Sequence, residues 1–322
     1  MILNFLKTKR GKDPFSITLI NNYENAKLFF SKNRTNCFRI YDKEITQIPL
    51  TIDYYDGFFV INHYWKQSST ESDIEKLVKK VNSSILESFE VSQENIFHKY
   101  RKINYDKELF LNSEGISSFL TVYESGIKFE VNLKDYLDTG IFLDHSPVRE
   151  IAMKLGKEKR VLNLFSYTSS FSLYVLKGGA KFCRSVDISN TYVDWSRRNH
   201  ILNNIDKSLY EIRRDDCLNH LKFSNKKGEK FDFIIMDPPT FSRSKKIKKS
   251  VFNVQKDHVE MINNGTNLLS EGGVILFSNN LTTFKMDKQI LKEYIVKDIS
   301  EKTIPYGFKN KKIHKTFLIR KK

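Results

Sequence analysis

Apolar positions follow two different rhythms along the chain. Over residues 37–65 they bunch into β-like runs, Cys37-Phe38-Arg39-Ile40-Tyr41 and then Phe58-Phe59-Val60-Ile61. Over residues 72–89 the period changes. Ile74, Leu77, Val78, Val81, Ile85 and Phe89 recur at helical spacing on one face. Strand-like runs return at 119–123 and 128–133. This pattern predicts a small α/β unit over residues 36–140. A polar, basic leader over residues 1–35 precedes it, with an amphipathic stretch at 23–30. Residues 135–149 bridge to the second rhythm.

From residue 160 onward, short apolar runs alternate with helix-period segments. Strands are predicted at 160–165, 182–188, 211–214, 231–236 and 274–277, and helices at 171–176, 192–202 and 251–269. The first of these helices ends at Gly178-Gly179. Such alternation implies a parallel, doubly wound α/β sheet, here over residues 141–322. Ligands of such sheets sit outside the carboxyl ends of the strands. Asp187, Asp216, Asp237-Pro238-Pro239 and Ser278-Asn279-Asn280 all fall at those ends.

Composition narrows the class. At roughly 150 residues per domain, 322 residues suggest two domains. The three cysteines, Cys37, Cys183 and Cys217, are too few and too scattered for a disulfide framework or a paired-cysteine zinc site. No apolar run reaches the ~18 residues of a membrane span. At the start, apolar residues precede Lys7, Lys9 and Arg10, the reverse of a secretory signal. A reduced, cytoplasmic protein is expected. The histidines, including His145, His220, His258 and His314, show no metal-ligand spacing, so no metal is expected.

Charge changes the picture more. The formal net charge is +16, and it is not evenly spread. Residues 1–150 hold 20 basic and 21 acidic side chains, whereas residues 151–322 hold 34 and 17. A genome-wide lysine bias would not load one half. A basic half is the expected footprint of a polyanion partner such as nucleic acid.

The candidate chemistry lies in the same half. Phe165-Ser166-Tyr167-Thr168-Ser169-Ser170 is a turn of small polar residues opening a helix, suited to a polar ligand tail. It lacks the glycines of a dinucleotide fingerprint or a P-loop. A capped helix start explains it equally well. About 20 residues on, Asp187 is placed to accept from ribose hydroxyls, or else to cap the next helix with Ser189. Asp216 is placed to accept from an adenine amino group, or to sit in a solvated turn. Asp237-Pro238-Pro239-Thr240-Phe241 is the strongest motif. The prolines break the backbone where an apolar strand leaves the sheet. Asp237 is able to orient a base edge, and Phe241 to stack on a base. Arg243, Lys245, Lys246, Lys248 and Lys249 follow, a candidate contact for a phosphate backbone. The basic C-terminal stretch, residues 309–322, is another. No cysteine adjoins the Asp-Pro-Pro motif, which argues against covalent attack on a pyrimidine carbon. Cys217 reads as packing.

These motifs, taken together, resemble the guanine-N7 methyltransferase half (RlmK) of the bifunctional 23S rRNA methyltransferase RlmKL, from about Cys37 to the C-terminus. The resemblance is carried by Asp135-Tyr136-Leu137-Asp138-Thr139-Gly140-Ile141-Phe142-Leu143-Asp144-His145 and by Leu162-Asn163-Leu164-Phe165-Ser166-Tyr167-Thr168. It continues through Ser189-Asn190-Thr191-Tyr192 with Trp195, Arg198 and Asn199, then Asp237-Pro238-Pro239-Thr240-Phe241-Ser242, Gln255-Lys256-Asp257-His258 and Phe277-Ser278-Asn279-Asn280. It implies a Rossmann-like class I methyltransferase with an accessory RNA-binding domain, S-adenosylmethionine as cofactor, and guanine-N7 transfer in domain V of 23S rRNA, free or in a precursor large-subunit particle. Carried over residue by residue, cofactor contacts fall to Asp144, His145, Asn163, Phe165, Ser166, Tyr167, Ser169, Asp187, Ile188, Asp216, Cys217 and Asp237. Catalytic contacts fall to Asp237, Pro238, Pro239, Phe241 and Asn279. The family usually has Gly at Ser169 and Arg at Ser146, which puts local cofactor contacts in question. The other methyltransferase half is not in this sequence, so the chain is expected to find its rRNA alone or with a separate RlmL-like methyltransferase as partner. Methylation of cytosine C5, or an inactive rRNA-binding assembly factor, are the alternatives. Transfer to a protein amide would call for Asn-Pro-Pro-Tyr, which Asp237 and Thr240 do not match.

Overall fold

The computed structural model describes residues 5–65, 70–102, 119–242 and 252–322. The chain divides into two compact units, Met1–Leu143 with Pro305–Asn310, and Asp144–Ile304 with Lys311–Lys322.

In the first unit, α1 (Pro14–Ser31) precedes β1 (Cys37–Asp42), β2 (Leu50–Tyr55), β3 (Phe58–Trp65), α2 (Glu71–Ser88), β4 (Ile96–Lys102) and the hairpin of β5 (Leu120–Glu124) and β6 (Ile127–Val131). The sheet order is β1-β2-β3-β4. Strands β1 to β3 form an antiparallel meander, and α2 carries the chain across to β4, which runs parallel to β3. Asp56 and Gly57, both at positive φ, make the two-residue turn between β2 and β3, as the strand twist favours.

Residues 5–35 fold with the first unit. Asp13 caps α1 by accepting from the Phe15 and Ser16 amides. Leu19, Tyr23 and Ala26 of α1 are buried in one core with Val81 and Ile85 of α2 and Phe38, Ile52 and Phe59 of the sheet. The unit also takes back the distant segment Pro305–Asn310. Asp42 Oδ2 accepts from the Lys309 amide at 2.7 Å, and the Arg39 guanidinium lies 4.2 Å from the Phe308 ring centre.

The second unit begins with α3 (Ser146–Leu155) and β7 (Arg160–Leu164). Then come α4 (Ser170–Lys177), β8 (Phe182–Asp187), α5 (Asn190–Leu202), β9 (Tyr210–Arg214), α6 (Cys217–Lys226) and β10 (Phe231–Met236). The short ribbon β11 (Phe241–Ser242) and β12 (Phe252–Asn253) leads into α7 (Val254–Asn267), β13 (Leu269–Asn279), α8 (Lys288–Glu293), β14 (Tyr294–Asp298) and β15 (Lys315–Lys321). The sheet order is β14-β15-β13-β10-β7-β8-β9, with β15 antiparallel to both neighbours.

Alternate strand residues face opposite layers. Leu162, Leu164, Ile234, Met236, Ile275 and Phe277 share a core with Leu221 of α6 and Met261 and Ile262 of α7. Val161, Phe233, Ile235, Val274 and Leu276 share another with Val148 and Ala152 of α3 and Val175 of α4. Continuous apolar strands are what a sheet covered on both faces requires. The winding direction reverses between β7 and β10, since β8 and β9 lie on one side and β13 on the other. Two corrections follow from this topology. The helix expected over 251–269 starts at Val254, because Phe252 and Asn253 pair with β11. Much of the basic stretch 309–322 is a sheet strand rather than a free tail, with Phe317 and Ile319 buried.

Candidate active site

The turn after β7 is unusual backbone. Phe165, Tyr167 and Ser169 all take positive φ (56°, 50° and 65°) without being glycine, a region that L residues seldom enter. Hydrogen bonds hold it there. The Ser166 amide donates to Val186 O at 3.0 Å and the Ser169 amide to Ser166 O at 2.7 Å. The Phe165 amide donates to Cys217 Sγ at 3.1 Å, and Asn199 Nδ2 to Thr168 O at 3.1 Å. Ser166 is buried. Ser169 explains itself: it is fully buried, and its hydroxyl bonds to the Ser196 hydroxyl of α5. The side chain where glycine is usual therefore turns into α5.

Asp187 ends β8 and ties this turn to the next strand. Its Oδ2 accepts from the Tyr167 amide and its Oδ1 from the Ser189 amide, both at 2.9 Å. Burial outweighs these bonds and raises its pKa above the ordinary carboxylate value. A carboxylate has about four acceptor positions, so lone pairs remain for a ligand. Ile188 beside it is an exposed apolar residue. Asp216 accepts from the Asn219 amide at 2.9 Å as the cap of α6. Cys217 turns inward, and burial pushes its thiol well above the usual range. Asn163 is buried on β7 and donates to Ser172 Oγ at 2.9 Å, while its Oδ1 has no hydrogen-bond partner.

Asp237 leaves β10 across the reversal point. Pro238 is buried and Pro239 exposed, so the ledge is anchored at one end. Phe241 is 62% exposed, a large aromatic presented to solvent. Asn279 ends β13, next to β10. Its Oδ1 accepts from the Leu281 amide, and its buried Nδ2 is without a partner. Arg243, Lys245, Lys246, Lys248 and Lys249 lie outside the described residues.

Asp144 and His145 lie in a short turn before α3 and are both buried. His145 Nε2 sits 3.3 Å from Asp237 Oδ1 and 2.9 Å from Ser278 Oγ. Sequence reasoning assigned nothing to His314 or to Ser278 as a side-chain partner. His314 joins the group with Nδ1 3.6 Å from Asp144 Oδ2. No spacing signal exists for residues separated by 169 positions, which only the sheet brings together. Asp144, His145 and His314 are also a group, among the described residues, whose donor atoms all lie within 4.8 Å. Both histidine Nδ1 atoms lie at ion-pair distance from Asp144 Oδ2 without a hydrogen-bond partner. Ser146 opens α3, with Pro147 in the first turn where proline is tolerated.

Asp187 offers acceptor capacity beside an exposed apolar residue. Asn163 Oδ1 and Asn279 Nδ2 are a buried acceptor and donor without a hydrogen-bond partner near the carboxyl ends of β7 and β13.

Comparison with known proteins agrees. The family profile described as S-adenosylmethionine-dependent methyltransferase matches residues 28–302. The protein named ribosomal RNA large subunit methyltransferase K from Neisseria meningitidis is 37% identical over 320 residues, covering 98% of this chain and 90% of that protein. Its K/L counterpart from Marinomonas sp. is 38% identical over 316 residues. These cover 97% of this chain but 43% of the K/L protein. Among solved structures, SMU.776, described as a methyltransferase and complexed with SAH, superposes with a TM-score of 0.74 at 26% identity, covering 97% of this chain and 83% of that one. The chain therefore belongs to the S-adenosylmethionine-dependent methyltransferases, in the family of ribosomal RNA large subunit methyltransferase K, with S-adenosylmethionine as its cofactor.

Proposed function

We propose that this chain methylates N7 of a guanine in domain V of 23S ribosomal RNA, as naked rRNA or in a precursor large-subunit particle. One observation carries the reading. Asp237 and the exposed Phe241 flank a proline ledge at the strand-order reversal, beside a site that suits S-adenosylmethionine. The relatives' names supply the large-subunit rRNA.

Bound S-adenosylmethionine supplies an electrophilic methyl group on a sulfonium. Asp187 would accept from its ribose hydroxyls, Ile188 would pack on its adenine, and Asp216 would accept from the adenine amino group. Asn163 would contribute to the cofactor side, and Asn279 would add a hydrogen bond on the acceptor side. On the acceptor side, Asp237 is acceptor-only and suits the N1–H and amino group of guanine, which leaves N7 unblocked. Phe241 stacks on the base, extruded from its helix. Guanine N7 has an in-plane lone pair and no proton to lose, so direct displacement needs no general base. The protein's task is orientation, worth up to ~7–11 kcal/mol in favourable intramolecular cases.

Attack on cytosine C5 would need a thiolate. Cys37, Cys183 and Cys217 are all buried, and burial pushes the Cys183 thiol up to about 12. The basic residues 243–249 contact the RNA backbone in this reading, and the enzyme works in the cytoplasm, alone or with the RlmL-like methyltransferase that the relatives' K/L names suggest as a partner. No helix among the described residues is long and apolar enough to cross a membrane.

The test is transfer of labelled methyl from S-adenosylmethionine to undermodified 23S rRNA, followed by nucleoside mass spectrometry. Label in 7-methylguanosine is expected. Label in another nucleoside overturns the base assignment. SAH bound without any transfer to rRNA or particles overturns the substrate.

A further inference from the structure

Behind the Asp237 carboxylate is a buried polar cluster that the reaction above leaves unused. His145 places one ring nitrogen against each of two carboxylates: Nδ1 is 3.1 Å from Asp144 Oδ2, and Nε2 is 3.3 Å from Asp237 Oδ1. Ser278 Oγ lies 2.9 Å from the same Nε2. Asp144 is shared with His314, whose Nε2 is 2.8 Å from Thr303 Oγ1. The two imidazole rings are 4.8 Å apart, and Phe171 closes the side of His145 edge-on. Asp144, His145 and His314 are 7%, 2% and 0% exposed. Asp237 is the member with an open side.

We propose that His145 is a positioning residue for Asp237, and that Asp144 and His314 fix the ring that does this. The inference rests on Asp237 serving the acceptor base. A ring only 2% exposed has no surface to offer a nucleotide or a cofactor. It does reach the carboxylate that has such a surface. A carboxylate on a free rotor samples many orientations, and a close ion-pair contact from a ring held on its far side favours one of them.

The electrostatics agree with the geometry. A neutral imidazole carries no charge, whereas an imidazolium presents a positive charge to both carboxylates at ion-pair distance. Burial alone would strip the extra proton. Asp237 and Asp144 outweigh it and raise the His145 pKa to about 10. Despite its own burial, Asp144 is held well below the ordinary range by His145 and His314. The groups facing His145 are thus Asp144, Asp237, His314, the hydroxyl of Ser278 and the edge of Phe171. The role assigned to Asp144 and His145 moves from touching the cofactor to bracing the acceptor side.

The experiment uses the full chain with His145→Gln, Asp237→Asn and the double variant. Methyl transfer to undermodified 23S rRNA, SAH affinity by calorimetry and histidine ring 15N shifts are measured. His145→Gln is expected to lower kcat by about tenfold or more while SAH affinity stays within about threefold. Because His145 acts through Asp237, adding His145→Gln to Asp237→Asn should cost less than about threefold more. In the wild-type chain the His145 ring should carry protons on both nitrogens at pH 8. A loss of SAH affinity in step with kcat, a full additive loss in the double variant, or a singly protonated ring would each overturn the proposal. So would a stoichiometric metal in the purified chain, since an ion would take Nδ1. The ring signal does not depend on the variants folding. It also needs no RNA, so failure of the wild type to methylate 23S rRNA would count against the proposed substrate alone.

Discussion

Asp187 and Asp237 end neighbouring regions of one sheet, yet they are held by different means. The Asp187 oxygens take backbone amides from Tyr167 and Ser189, and the turn they organise lies within about one βα unit. Asp237 takes a side-chain partner, His145, which is braced in turn by Asp144 and His314. Backbone amides do not titrate, whereas an imidazolium does. On the proposed reading, the cofactor side is set by chain geometry and the acceptor side by the His145 proton. Cofactor binding and methyl transfer should respond separately to mutation and to pH.

The sharpest way to separate them is Asp237→Ala. It should lower kcat by ~100- to 1000-fold, the scale of a lost preorganised polar contact at a reacting group, while SAH affinity by calorimetry changes little. Equal losses in both would merge the two sides. Next is Asp187→Asn, which removes a charged acceptor and leaves its amide nitrogen facing an N–H donor. A bond to a charged group is worth ~1.5–3 kcal/mol, so SAH affinity should fall by about 10- to 100-fold, with kcat at saturating cofactor much less affected.

The pH dependence should divide along the same line. The His145 proton, and the stability and orientation it confers, are fully present below its unfolded value of 6.5 and are lost as pH rises through about 10. kcat should fall on that alkaline limb while SAH binding persists. The raised Asp187 pKa sets the opposite limb. SAH affinity should weaken as pH falls through a value above the ordinary 3.8. The smallest effect expected is that of Ser169→Gly. Glycine relieves the positive φ and loses the bond to Ser196, contributions of opposite sign and each about 1 kcal/mol. SAH affinity should stay within about threefold. A large gain would mean that the serine obstructs the cofactor after all.

The same contrast decides what the sequence could reveal. The turn and aspartate proposed for the cofactor side are legible because they are local. A strand, a polar turn and an aspartate about 20 residues later recur within a short window, and the apolar runs of β7, β8 and β10 announced a doubly wound sheet. The acceptor side was half legible. Asp237-Pro238-Pro239-Thr240-Phe241 stands out as a block, but its support comes from residues 144–145, 278 and 314. These meet only because β13 and β15 pair in the sheet, and pairing partners leave no periodic trace. For the same reason the strands at Tyr294–Asp298 and Lys315–Lys321 went unread. Their lysines suggested a solvated tail, while Phe317 and Ile319 in fact pack inward. Helix α1 was underread too, since its buried face, Phe15 to Phe30, needed the sheet beneath it to declare itself.

Where the methyl group lands decides the proposed reaction. Undermodified 23S rRNA would be incubated with the chain and S-adenosylmethionine, treated with borohydride and aniline, and mapped by primer extension. A single enzyme-dependent cleavage in domain V is expected, since only 7-methylguanosine yields to that treatment. Methyl incorporation without any cleavage would contradict guanine N7 as the acceptor and with it the role given to Asp237 and Phe241.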